Sequence, residues 1–91
     1  MVKIEYTGRY HKSYQKLVTS HPEHIKEIAK RIQWFRRNPF DTRLRNHKLY
    51  GHLEGRCAFS ITDDIRIVYR WRGNATAQFL DIGGHEKLYR R

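Results

Sequence analysis

His47, Asp64, Arg66, His85 and Tyr89 are the residues whose types and spacing could do chemistry in this sequence. A histidine can take or give a proton near neutrality, because its unperturbed pKa of about 6.5 leaves both protonation states available. Arginine stays charged and can meet two phosphate oxygens at once. Two histidines, an arginine and a basic cleft therefore make a sufficient set for cleaving RNA without a metal, provided the fold brings them together. That reaction needs a base for the 2′-hydroxyl proton, a donor for charge building on phosphorus, and an acid for the leaving 5′-oxygen. His85 follows the paired glycines Gly83-Gly84, and could act in catalysis or simply cap the last strand. His47 sits in a polar stretch, and His11, His21, His24 and His52 read as solvated side chains. Asp64 reads first as a turn residue, with a second role of orienting a histidine or touching RNA. Tyr89, four residues after His85, is either an anchor for the C-terminus or a platform on which a base stacks. The spacing of histidines and carboxylates offers no compact metal-binding motif, so neither metal nor cofactor is expected.

These residues have to be positioned by the elements around them. Val2, Ile4 and Tyr6 alternate with Lys3 and Glu5, which predicts a short strand, and Thr7 can then cap a helix. Tyr10, Tyr14, Leu17 and Val18 share one face of that helix. Ser20-His21-Pro22-Glu23 reads as a capping box opening a second helix, with Ile25, Ile28, Ala29, Ile32 and Phe35 at helical spacing and Asn38-Pro39 as its end. Phe40 to Gly55 reads as an irregular basic connection. The period then changes to two. Cys57, Phe59 and Ile61 lead through the turn Thr62-Asp63-Asp64 into Ile65, Ile67, Tyr69 and Trp71, and Arg72-Gly73-Asn74 turns into a last strand from Thr76 to Ile82. The predicted fold is α+β: strand, two helices, three strands, forming a small, largely antiparallel sheet with the helix pair on one face. If Ile65, Ile67, Tyr69 and Trp71 meet the helices, Arg66, Val68, Arg70 and Arg72 line an open basic face.

Ninety-one residues hold one hydrophobic core, so residues 1–91 are expected to form a single domain. Nineteen Lys and Arg against nine Asp and Glu leave a net charge of +10, which on so small a body attracts polyanions. The excess runs from Arg36-Arg37 through Arg43, Arg45, Lys48 and Arg66 to Arg90-Arg91, more than solubility requires. A single cysteine, Cys57, excludes an internal disulfide and fits a reducing cytoplasm. No stretch has the length of a membrane span or the pattern of an export signal, so the expectation is a cytoplasmic protein without a membrane partner.

Three segments in the second half carry a resemblance. His47-Lys48-Leu49-Tyr50-Gly51 gives His-x-Leu-x-Gly, Asp64 to Tyr69 gives Asp-x-x-x-x-Tyr after Gly55, and Gly83 to Tyr89 gives Gly-x-His-x-x-x-Tyr. Together they resemble the RelE/YafQ toxins of bacterial type II toxin-antitoxin systems, specifically from His47 to Tyr89 and in element order before that. The resemblance implies catalytic or substrate-contacting roles for His47, Asp64, His85 and Tyr89. A further histidine of YafQ-type chains falls on Ser60 here, whereas Arg66 lies where RelE itself has a phosphate-binding arginine. It also implies an mRNA endoribonuclease that enters the ribosomal A site, stops translation and is restrained by an antitoxin. The charge makes that antitoxin acidic and seats it over the Arg66 face. Arg45, Lys48, Arg56, Arg70 and Lys87 are then the expected contacts to nucleic acid. Two other readings stay open: a ParE-like toxin that shares the fold but poisons gyrase, and a noncatalytic ribosome- or RNA-binding module.

Overall fold

The first helix starts where the sequence indicates. Thr7 is extended, and its hydroxyl accepts the Tyr10 N–H at 3.1 Å, satisfying one of the free donors at a helix start. The computed structural model describes residues 1–89, so Arg90 and Arg91 lie outside the described residues. Its main elements are β1 (Lys3–Tyr6), α1 (Gly8–Ser20), α2 (Ile25–Arg37), β2 (His47–Lys48), β3 (Cys57–Ser60), β4 (Ile65–Arg72), β5 (Thr76–Gly84) and α3 (His85–Tyr89). Asn38 ends α2, as expected. The capping box at Ser20 does not form: Pro22–His24 is a separate 3-10 turn, and neither it nor α2 has a side-chain cap. Pro22 fixes its own φ and starts that turn before α2 can begin.

The five strands form one sheet in the order β1-β5-β4-β3-β2. β1 runs parallel to β5 and the other three pairs are antiparallel, so the sheet is mixed. Two elements correct the predicted strand, two helices, three strands. The two-residue β2 adds an outer strand, and the five-residue α3 follows β5, which itself runs two residues beyond Ile82.

Tyr10, Ile28 and Phe35 of the helix pair pack with Phe59, Ile67, Tyr69, Ala77, Phe79 and Ile82 of the sheet to form the main core. β5 changes face partway along. Val68 is opposite Asp81 but Tyr69 is opposite Phe79, which leaves Leu80 as an extra residue. Such a bulge resets the pleat: Ala77 and Phe79 before it, and Ile82 after it, all meet the helices. Asp81 and Gly83 therefore share the other face with their partners Val68 and Arg66.

That other face is not the open basic surface expected from alternation. Leu88 of α3 packs on Ala58, Val68 and Leu49 as a second cluster, joined by Leu53, Leu80 and Tyr89. Among the described residues, no helix is long and apolar enough to cross a membrane.

Candidate functional site

The start of α3 is built by the turn between β3 and β4. Thr62 Oγ1 accepts the N–H groups of Asp64 and Ile65 at 3.3 and 3.0 Å, closing the turn. Asp64 Oδ1 in turn accepts the His85 N–H at 3.1 Å, placing a carboxylate where a helix start favours one. At the two glycines before His85 an added side chain would displace Asp64 or Lys87. A Cβ at Gly84 would lie 2.8 Å from Asp64 Oδ2, and one at Gly83 would lie 2.8 Å from Lys87 Cδ.

Around this start, three side chains converge. His85 and Tyr89 stand one helical turn apart, with ring centroids at 4.5 Å and planes at 82°. The Tyr89 hydroxyl is buried without a hydrogen-bond partner among the described residues. Burial pushes its pKa up, and the positive charge of Arg66 acts in the opposite direction. Arg66 lies between Ser60 and Gly83 in the sheet, and its Nη1 donates to the Asp64 carbonyl at 3.2 Å. Its bond is therefore to the turn's backbone, leaving the Asp64 carboxylate to α3. Asp64, Arg66, His85 and Tyr89 form one group.

His47 reaches the same face from the outer edge of the sheet. The connection before it is held by Asn46, which accepts the Tyr69 hydroxyl at 2.8 Å and donates to the Pro39 carbonyl at 2.8 Å. Leu44 is fully buried, and Arg45 adopts the left-handed region at φ 51°. This turn brings the Arg45 carbonyl to 2.9 Å from His47 Nδ1. A carbonyl only accepts, so in the neutral ring Nδ1 carries the proton and Nε2 keeps its lone pair. His47 is opposite Ala58, which is opposite Val68. Among the described residues, no hydrogen bond joins His47 to the group at α3.

The expected nucleic-acid contacts separate into two kinds. Arg45, Lys48 and Arg56 are exposed, and Arg70 is exposed while its Nε donates to Gln78 Oε1 at 2.7 Å. Lys87 is engaged within the fold instead: its ammonium donates to Ser13 Oγ at 2.8 Å, Asp81 Oδ1 at 3.3 Å and the Ile82 carbonyl at 3.2 Å. Arg9 holds the second Asp81 oxygen at 3.3 Å. Sequence reasoning missed Ser13 and Asp81, though Asp81 inside an otherwise apolar strand was a signal. It also missed that His21, Glu23 and His24 come together in the turn between α1 and α2.

Comparison with known proteins places this chain in a family. The family model described as the YafQ bacterial toxin of type II toxin-antitoxin systems matches residues 2–90. Compared with curated proteins, the sequence finds no match. A copper-bound mutant toxin from Helicobacter pylori superposes with a TM-score of 0.80 at 22% identity, over 98% of this chain and 100% of that one. YafQ from Escherichia coli gives 0.80 at 19% identity, over 98% and 99%. The E. coli DinJ-YafQ complex gives 0.72 at 19% identity, over 98% and 99%. At these identities the solved structures establish the fold, and the family model establishes the relationship: the chain belongs to the YafQ family of bacterial toxins of type II toxin-antitoxin systems.

Proposed function

We propose that this toxin is an mRNA endoribonuclease that works at the ribosomal A site and cuts by attack of a 2′-hydroxyl on the neighbouring phosphate. The observation that carries this reading is the gathering of Arg66, His85 and Tyr89 at the Asp64-held start of α3. His47 Nε2, with its lone pair free, takes the 2′-hydroxyl proton. As the O2′–P bond forms, charge builds on the phosphate oxygens and is met by the Arg66 guanidinium and the Tyr89 hydroxyl. Protonated His85 gives its proton to O5′ as the P–O5′ bond breaks, leaving a 2′,3′-cyclic phosphate and a free 5′-hydroxyl. The Tyr89 hydroxyl has no hydrogen-bond partner among the described residues, which leaves its proton to be donated to phosphate once RNA displaces the groups that cover it. No step requires a metal ion.

The net charge of +10 suits both an RNA substrate and an acidic antitoxin, and the E. coli relative was solved with DinJ. Arg45, Lys48, Arg56 and Arg70 are the exposed cations proposed to contact RNA. Action in the cytoplasm follows from this substrate.

Primer extension on translated messages after induction tests the proposal. In-frame cuts that disappear when translation initiation is blocked are expected. Growth arrest with intact messages would overturn it.

A further inference from the structure

The turn between α1 and α2 carries a second constellation, separate from α3. Pro22–His24 is one 3-10 turn, in which residues three apart eclipse because each turn takes three residues. His21, its cap, and His24 therefore stand on the same side, with ring centroids 5.7 Å apart. Glu23 lies between them in sequence, and its Oε2 is 3.2 Å from His21 Nδ1. One ligand atom from each of the three lies within 4.8 Å of the others. Pro22 limits the backbone freedom of the segment.

We propose that His21, Glu23 and His24 form a binding site for a zinc-class divalent transition ion. A tetrahedral ion with bonds of about 2.0–2.1 Å needs donor atoms about 3.4 Å apart. The His21–Glu23 pair already meets this spacing. Rotation of the half-buried His24 ring carries the third donor, already within 4.8 Å, toward that pair. Two imidazoles and a carboxylate suit Zn2+ or Cu2+, whereas Mg2+ and Ca2+ prefer oxygen-only shells. The Glu23 carboxylate offsets part of the ion's charge on a basic protein. The remaining coordination position is left to water, and the exposure of His21 and Glu23 makes the ion exchangeable. Bound there, the ion clips the turn on which the α1–α2 hairpin reverses. This assignment does not rest on RNA cleavage.

Calorimetric titration of tag-free, full-length protein with Zn2+ tests it. One equivalent is expected to bind in excess Mg2+, and to release at acid pH because imidazole ligates only when neutral. Affinity should fall at least tenfold in His21→Ala and in His24→Ala, fall less in Glu23→Gln, and stay unchanged in His52→Ala. Glu23→Gln is isosteric and exposed, so it reports on the site even if the His24 change disturbs packing. Absence of saturable binding would overturn the assignment, as would binding that survives the double change at His21 and His24 or is abolished by Mg2+.

Discussion

Replacing His85 by alanine removes an imidazole but keeps the backbone N–H that Asp64 holds, so α3 retains its start. Cleavage should fall roughly 10²–10⁴-fold while circular dichroism and antitoxin binding stay those of the parent. A near-parental single-turnover rate would remove His85 from the reaction. Tyr89→Phe keeps the ring and so separates the hydroxyl proposed to meet phosphate from the anchoring or stacking roles that its spacing allowed. The lost hydroxyl is buried and unpartnered, so its removal should raise stability by about 1 kcal/mol in urea unfolding. Slower cleavage by this more stable variant would mark the hydroxyl as a donor to phosphate. An unchanged rate would leave Tyr89 to its ring alone, as an anchor or a stacking platform. At this scale the sequence indicated the residue types of the group but not their bonds. Asp64 was legible as a turn residue, whereas its hold on His85 depends on the β3–β4 turn meeting the end of β5, 21 positions away. The tautomer of His47 depends on the left-handed backbone of Arg45, a conformation that an arginine does not advertise.

At the scale of elements, α3 has only five residues and cannot persist as an isolated helix, so its docking positions His85 and Tyr89. Leu88 supplies the apolar contact, and Lys87 ties the helix to Ser13 of α1 and Asp81 of β5. Lys87→Met keeps most of the stem but removes those bonds. It should lower stability by about 1–3 kcal/mol, since Asp81 and Ser13 are both buried, and slow cleavage without changing the salt dependence of RNA binding. A changed salt slope with unchanged stability would restore Lys87 as a phosphate contact. The long periodic elements α1, α2, β4 and β5 were legible because each repeats its pattern over several turns or pleats. Two residues of β2 and five of α3 carry no such period, and the bulge at Leu80 leaves no mark in composition. Hence the covered second face was invisible in the sequence.

For the molecule as a whole, the core responds to pH and the basic surface to salt. Burial, with Tyr6 and Tyr14 nearby, pushes the pKa of Tyr10 well above its usual value. Because the folded state then holds its proton more tightly than the unfolded chain, the associated stability is complete below about pH 10 and declines as pH rises further. Urea midpoints above pH 10 should therefore fall less steeply in Tyr10→Phe than in the parent, and parallel curves would exclude this origin. The basic surface acts at longer range. Of the cations expected to meet RNA, Arg70 is exposed and bonded only to the neutral Gln78 side chain among the described residues, so its full charge is available to phosphate. Arg72 is instead paired with Glu5 at 2.8 Å, which cancels much of its field. Arg70→Ala should weaken RNA binding and flatten the plot of log affinity against log salt by about 0.7 for a single-stranded contact, with little change in the cleavage rate of bound RNA. Arg72→Ala should change that slope much less, because removing one half of a surface ion pair exposes the charge of Glu5 while releasing few counterions. Binding constants over a salt series, measured beside single-turnover rates, separate the two arginines. Slopes equal to the parent's in both variants would mean that RNA follows a path across the sheet that passes neither of them.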